Sequence, residues 1–530
     1  MHNFLSWANS QPDRVVLTQA ETGEGHTAGK IARRVQKLAQ WLAGQGLQAE
    51  DTMAVVLENR VEIVELVLGA REAGLYAAVI STHLTPAEVR YIVEDSGARM
   101  VLVSARTWPL AQEACSALGL PCFSVDADVQ GASFLETALQ RTAAQPPMDL
   151  SGRPLGRDLL YSSGTTGRPK GIRKPLFGPE YRDRIDPEVA MMQRIMQFDE
   201  HMVYLSPAPL YHAAPLRYTV RALDSGGSAV IMRGFDAEQS LACIERYGVT
   251  HSQWVPTMLT RMLKLPEATR QRYDLGTHKI AIHAAAPCPV PLKQAMLDWW
   301  GDILLEYYAG SEGCGTTLIT SAEWRRKPGS VGRAITGVLH VVDDDGQEVA
   351  PGNIGRIYFE NGGRFLYLND EAKTREAMDA RGWATYGDIG YVDEDGYLFL
   401  SDRRADLILS GGVNVYPQEI ENALQSHPAV EEVAVVGAPH EDFGEQPVAV
   451  VVLKPGAQPD ADLARAILAS AAPQLSRVKW PQRMVFESRL PRLETGKLLR
   501  RVLKERFRTE PLAGFDLRAP APSGAGSGSA

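Results

Sequence analysis

Residues 53–81 read MAVVLENRVEIVELVLGAREAGLYAAVIS, and the spacing of their apolar side chains decides the fold class. Met53 to Leu57 is a short apolar run of strand type, Val61 to Ala73 repeats apolar residues at helical spacing, and Ala77 to Ser81 is a second apolar run. A strand, a helix and a strand in close succession form a βαβ unit with parallel strands. Outward from this unit the rhythm continues, with a helix expected at Ile31 to Leu47, another at Pro86 to Asp95 and a strand at Met100 to Ser104. It resumes after residue 200, with strands expected at His201 to Ser206, Ser228 to Met232, Thr250 to Val255 and His278 to Ala284, and a helix at Ala237 to Tyr247. The body is therefore expected to be a large N-terminal layered α/β domain with parallel sheets.

From Val331 the texture changes to short strands with Asp/Gly turns, as in DDDGQE at 343–348, PGNIG at 351–355 and DEDG at 393–396. This predicts a β-rich subdomain over 331–401 within an N-terminal domain of residues 1–401. Strands at Leu407 to Ser410, Val433 to Gly437, Val448 to Leu453 and Met484 to Glu487, with helices at Tyr416 to Gln425 and Ala461 to Ala472, predict a small α+β C-terminal domain over 402–508. Residues 509–530, ending PAPSGAGSGSA, have little apolar surface to bury and are expected to be disordered.

Composition narrows the function. The 530 residues are 45% hydrophobic and 22% charged, which suits a globular chain, and 55 Lys+Arg against 64 Asp+Glu give net −9. That balance argues against gripping nucleic acid or an anionic membrane by charge alone. No apolar run approaches the roughly 18 residues of a membrane span, and MHNFLSWANSQPDR lacks the basic start and apolar stretch of a signal peptide. Cys115, Cys122, Cys243, Cys288 and Cys314 are scattered without paired spacing, so neither a zinc site nor a disulfide framework is expected, and a reducing cytoplasm fits best.

The strongest chemical motif is YSSGTTGRPKG, Tyr161 to Gly171. Gly164 and Gly167 let backbone N–H groups approach anionic oxygens, Ser162, Ser163, Thr165 and Thr166 add hydroxyl donors, and Lys170 adds a mobile point charge, a composition that suits polyphosphate. The Walker spacing is not met, because the two glycines are too close and Gly171 follows the lysine. On composition alone, a flexible surface loop remains the alternative. Further motifs follow in order: LSPAPLYHAAP (205–215), HAAAP (283–287), YAGSEG (308–313), YGDIG (386–390), DRRADLILSGGVNVYPQEIE (402–421) and LPRLETGK (490–497).

With these strings the chain resembles the adenylate-forming (AMP-binding) superfamily of acyl-CoA synthetases, nonribosomal adenylation domains and luciferases, over nearly its whole length to about residue 508. The resemblance implies ATP, Mg2+ and coenzyme A. It makes Glu312, a hard oxygen ligand, and Thr166 the metal pair, where the residue alone would read as a solvated loop carboxylate. It puts Asp388 and Arg403 on the ribose side, where Asp388 alone reads equally well as a turn former. Tyr308 offers a flat face to adenine, the turn of Ala285, Ala286 and Pro287 offers backbone groups to its edge, and Ser311 keeps a hydroxyl where the family often has Thr. Lys497 is implied to neutralise charge between the acid's carboxylate and the α-phosphate, a role that is worth about two to three orders of magnitude in rate for a fixed cation. Gly411 and Gly412, which alone suit a bulge or turn, are implied to meet the pantetheine channel after the small domain rotates about a hinge near 402–406.

Four positions depart from the family's usual residues: Ala309, Ser311, Tyr386 and Ala405, the last at the expected pivot. His212 is implied to line the acyl pocket or orient the carboxylate, although a His beside two alanines is more often structural. The pocket is expected to comprise Tyr211, His212, Trp254, Thr257, Met258, Ala284, Ala309 and Gly310, which favours a fatty, aryl or alicyclic acid over a zwitterion. Arg217 and Arg221 could serve a second carboxylate, but the structural reading is favoured. The expected activity is an ATP-dependent acid:CoA ligase; the competing readings are a standalone enzyme loading a carrier protein and a non-catalytic nucleotide-binding regulator. The partners are a small carboxylic acid and CoA, with no nucleic acid and no membrane span; a homodimer is left open.

Overall fold

A computed structural model of the chain describes residues 3–144, 146–162, 169–285, 288, 290–343, 345–402, 408–415, 417–491, 500–510 and 513–517. Two compact units are present, one within residues 1–402 and one drawn mainly from the residues after 402. The βαβ unit is as the pattern predicts: Thr52–Val56, the helix Val61–Ala73 and Tyr76–Val79, with the strands paired in parallel. They lie in a six-stranded sheet whose described pairings are all parallel.

The larger sheet has nine strands. Its centre is parallel, running Leu304–Tyr308, Ile280–His283, His251–Trp254, Val203–Ser206, Ser228–Ile231 and Val15–Gln19. Antiparallel strands Thr316–Thr320 and Arg333–Thr336 close one edge and Gly25–Thr27 the other. Residues alternate between two cores across this sheet: Tyr204, Ile280 and Ile282 face one, and Leu205, Ala281 and Leu304 face the other. The β-rich region is a four-stranded antiparallel sheet of Val338–Val342, Gly355–Glu360, Ile389–Val392 and Leu398–Asp402. A small antiparallel sheet joins Leu160–Ser162, Lys170–Arg173 and Leu366–Tyr367.

In the second unit the long hairpin Val430–His440 with Gly444–Leu453 carries a core flanked by the helices Pro417–Gln425 and Ala461–Ala471. Two features differ from expectation. Arg500–Thr509 is a helix, anchored by Leu503 and Phe507, which are buried one turn apart in a chain segment dominated by charge. Within the expected disordered tail, Phe515–Asp516 is a strand paired with Arg483–Phe486, because Phe515 and Leu517 pack on the apolar core of this unit. Of the hinge expected at 402–406, residues 403–406 lie outside the described residues, as does the tail from 518 onward. All five cysteines are free thiols, and among the described residues no helix is long and apolar enough to cross a membrane.

Candidate functional site

The phosphate-type motif spans a hairpin. Leu160–Ser162 and Lys170–Arg173 pair antiparallel with Ser162 opposite Lys170, so the two ends of the loop are fixed although Ser163, Gly164, Thr165, Thr166 and Gly167 lie outside the described residues. Lys170 was expected as a mobile charge and is instead held. It is 8% exposed, with Nζ 3.3 Å from Asp370 Oδ2 and 5.7 Å from the centroid of the Tyr367 ring. The Tyr367 hydroxyl donates to Glu312 Oε1 at 2.8 Å. One tyrosine thus touches both the lysine at the loop's end and the carboxylate of YAGSEG.

Glu312 is half-buried, and its Oε2 makes no hydrogen bond among the described residues. A single carboxylate oxygen free to bind suits Mg2+, which keeps its waters and takes most of its remaining ligands from substrate phosphates. No group of three or more His, Cys, Asp or Glu side chains that could hold a metal ion occurs among the described residues.

Of the residues expected on the nucleotide side, Tyr308 ends the strand Leu304–Tyr308 within a buried apolar cluster, and its hydroxyl donates to Asp388 Oδ2 at 2.7 Å. Both residues are more than nine-tenths buried. Tyr386 stands edge-on to Tyr308, with ring centroids 5.5 Å apart at 90°, and its hydroxyl donates to Gly315 O at 2.8 Å while accepting from Gly315 N at 3.1 Å. Burial pushes its phenol well up, so it stays neutral and able to donate. A Cβ on Gly310 would come within 2.4 Å of the Tyr386 ring, so the departure at Tyr386 and the glycine fit each other. Ser311 is half-buried in the same turn.

The strand Ile280–His283 ends in Ala284, 6% exposed, and Ala285, whose φ of 75° is left-handed for a residue with a Cβ. Such a conformation costs about 1–2 kcal/mol. Ala286, Pro287, Arg403 and Lys497 lie outside the described residues.

The acyl side needs correction. His212 is exposed at the N-cap of the helix Ala213–Asp224, with the half-buried Tyr211 ring 4.6 Å away. Tyr211, Ala213, Ala214 and Tyr307 pack on one face of the nine-stranded sheet, whereas Trp254 and Met258 belong to the core on the opposite face. Trp254 is 1% exposed, its indole Nε1 donating to Ser252 Oγ at 2.6 Å and its ring 5.7 Å from Trp300, so it is core rather than pocket wall. Strand alternation instead sends Gln253 to the Tyr211 face, where its amide donates to the Tyr307 hydroxyl at 3.0 Å. Gln253 and Tyr307, which the sequence reading did not single out, thus share the face on which Tyr211 packs, and the odd–even step from Trp254 and Tyr308 was the available signal. Thr257, Ala309 and Gly310 are half-buried. Arg217 Nη2 stands 2.7 Å from Asp158 Oδ2 and Arg221 pairs with Glu188, so the structural reading of these arginines holds. Burial alone would raise the Asp158 carboxyl, but Arg217 outweighs it and holds the group well below the usual range.

In the second unit, Gly411 (φ 60°) and Gly412 (φ 81°) form the two-residue turn between the strands Ile408–Ser410 and Val413–Val415. Positive φ at both central positions is what such a hairpin requires, so the turn accounts for both glycines.

A family profile described as AMP-binding enzyme matches residues 4–365, and its companion, AMP-binding enzyme C-terminal domain, matches residues 419–497. Over 505 residues the chain is 31% identical to a long-chain-fatty-acid–CoA ligase of Mycobacterium tuberculosis, covering 94% of this chain and 97% of the relative. It is 32% identical over 511 residues to a fatty acid–[acyl-carrier-protein] ligase of Streptomyces coeruleorubidus, covering 92% and 93%. Among solved structures, an o-succinylbenzoate CoA synthetase of Bacillus subtilis with a bound product analogue superposes with a TM-score of 0.78 at 26% identity, covering 95% of this chain and 98% of that one.

Proposed function

The chain belongs to the AMP-binding enzymes, the adenylate-forming superfamily of acyl-CoA synthetases, and we propose that it acts as an ATP-dependent acid:CoA ligase on a hydrophobic fatty, aryl or alicyclic acid. It is an AMP-forming acid–thiol ligase, with ATP, Mg2+ and coenzyme A as the small molecules it uses. In the first step a carboxylate oxygen of the acid bonds to the α-phosphorus as the bond to the β-phosphate oxygen breaks, releasing pyrophosphate. In the second, the CoA sulfur bonds to the acyl carbon, AMP leaves with the oxygen it received, and the thiol proton goes to solvent. Mg2+ would supply neutralisation of phosphate charge, held at Glu312 and Thr166.

The observation that carries this reading is the buried hydrogen bond between Tyr308 and Asp388. It joins the aromatic residue assigned to the base to the carboxylate assigned to the ribose. Lys170 and Glu312, joined through Tyr367, lie in the same unit at the motifs assigned to the phosphates. Lys497 is assigned to the first step and Gly411 and Gly412 to the second. His212 is assigned to the mouth of the acyl site; an acyl-adenylate is already activated, so the thiol needs no general base from it.

A second reading is favoured by the Streptomyces relative, whose acceptor is an acyl-carrier protein. The test is AMP release from ATP and Mg2+ across fatty, aryl and alicyclic acids, with and without CoA. AMP release that requires both one acid class and CoA supports the ligase. Acid-dependent pyrophosphate exchange that CoA cannot carry to product moves the assignment to a carrier protein.

A further inference from the structure

Beside the strand that delivers Tyr308, the core holds a charged pair that the ligase chemistry does not use. Lys293 is 0% exposed, with Nζ 2.5 Å from Glu306 Oε2 and 5.1 Å from the centroid of the Trp324 ring. His283 is equally buried, its Nε2 3.8 Å from the same Glu306 oxygen, and neither ring nitrogen has a hydrogen-bond partner among the described residues. Burial pushes the His283 imidazole well down and the nearby Cys288 thiol up; it also lowers Lys293 and raises Glu306, each against the attraction of the other.

The location of this pair gives it a role. Glu306 lies two residues before Tyr308 on the same face of its strand. His283 is the register partner of Glu306 on the adjacent parallel strand and immediately precedes Ala284 and the left-handed Ala285. Lys293 is on the helix Val290–Trp300, which follows that turn. The strand entering the turn, the helix leaving it and the strand carrying Tyr308 therefore converge around one carboxylate. Apolar side chains could fill this space without the cost of desolvating two ions. A directional bond does what they cannot, by fixing the separation and rotation of the elements it joins.

We propose that Lys293 and Glu306 are positioning residues for nucleobase recognition, holding the Ala284–Ala285 turn and Tyr308 at the separation that lets backbone groups of the turn read the adenine edge. This rests on the assignment of Tyr308 and the turn to the nucleotide.

The test compares ATP with inosine triphosphate, which keeps the ribose and phosphates but carries a carbonyl in place of the 6-amino group, in full-length Lys293→Met and Glu306→Gln. The expected result is a loss of about tenfold in the ratio of kcat/KM for ATP over inosine triphosphate in Lys293→Met and a smaller loss in Glu306→Gln, with the KM for the acid within about threefold of wild type. A general structural weakening would lower both nucleotides by one factor and leave the ratio intact, and that result overturns the proposal, as does a wild type that uses both nucleotides equally. If Lys293→Met does not fold, Glu306→Gln decides alone, since it keeps an acceptor for the ammonium. Tyr308→Ala and Asp388→Asn separate the two levels: if neither raises the KM for ATP, the nucleotide assignment itself fails, whereas if both do and the pair variants keep the ratio, only the positioning role fails.

Discussion

The hydroxyl of Tyr308 and the nucleotide role proposed for its ring can be separated by substitution. Its hydroxyl donates to a buried carboxylate, and hydrogen bonds to charged groups contribute about 1.5–3 kcal/mol, so Tyr308→Phe should lose an amount of that order in denaturant unfolding. The ring face survives, so the KM for ATP should rise only several-fold, far less than in Tyr308→Ala. Tyr386→Thr, a change to the residue more usual in the family, should behave differently. It removes a ring packed on Gly310 and Tyr308 and a phenol that bonds Gly315 twice, and the loss of a buried aromatic predicts about 3–5 kcal/mol of destabilisation. A variant as stable as the wild type would show that this packing contributes little. The identity of Tyr308, Asp388 and Glu312 as site candidates was legible because each sits in a distinctive string. The contacts that hold them were not, since Tyr367 and Asp370 lie between motifs and carry no pattern of their own.

The elements most legible in the sequence are those whose apolar spacing is strong and whose ends are marked. Val61–Ala73, Pro86–Asp95 and Ala237–Tyr247 have the predicted bounds; the first and third are followed by left-handed glycines, Gly74 and Gly248. Arg500–Thr509 was hidden because only Leu503 and Phe507 reveal its inward face among many charges, and Phe515–Asp516 because an edge strand of this length exists only where a neighbouring strand accepts it. Trp254 was misplaced for another reason: an aromatic near a motif suggests a pocket, but strand alternation decides the face it lines. The double glycine makes a prediction at this scale. Gly412→Asn tolerates left-handed backbone and should preserve the turn, whereas Gly412→Leu adds strain and bulk. If the turn approaches the pantetheine arm, Gly412→Leu slows thioester formation from supplied acyl-adenylate while acid-dependent adenylation persists, and Gly412→Asn is intermediate. Equal slowing of both half-reactions by Gly412→Leu would contradict that placement.

Across the whole molecule, buried histidines set the response to acid. Burial lowers His251 from 6.5 to about 4 and His278 from 6.5 to about 3, so both are neutral when folded. A depressed folded value gives stability that is complete above 6.5 and is lost as pH falls toward these values, because the unfolded chain takes up protons first; each group is worth about 3 kcal/mol or more by linkage. Glu65 acts oppositely: burial raises it from 4.5 to about 7, so its contribution is present below 4.5 and is lost as pH rises through 7. His26 and His283 are lowered as well, and Asp186 and Glu306 are raised like Glu65, so four histidines against three carboxyls predict a net fall in unfolding free energy between pH 6.5 and 4.5, which His251→Gln should flatten. An unchanged slope in that variant would remove His251 from the account. The central claim, that the acid is activated as an adenylate, is tested most directly with an acid labelled with oxygen-18 in its carboxylate, turned over with ATP and CoA. The account predicts AMP carrying one labelled oxygen and unlabelled pyrophosphate, whereas label in inorganic phosphate with ADP as the nucleotide product, or unlabelled AMP, would contradict it.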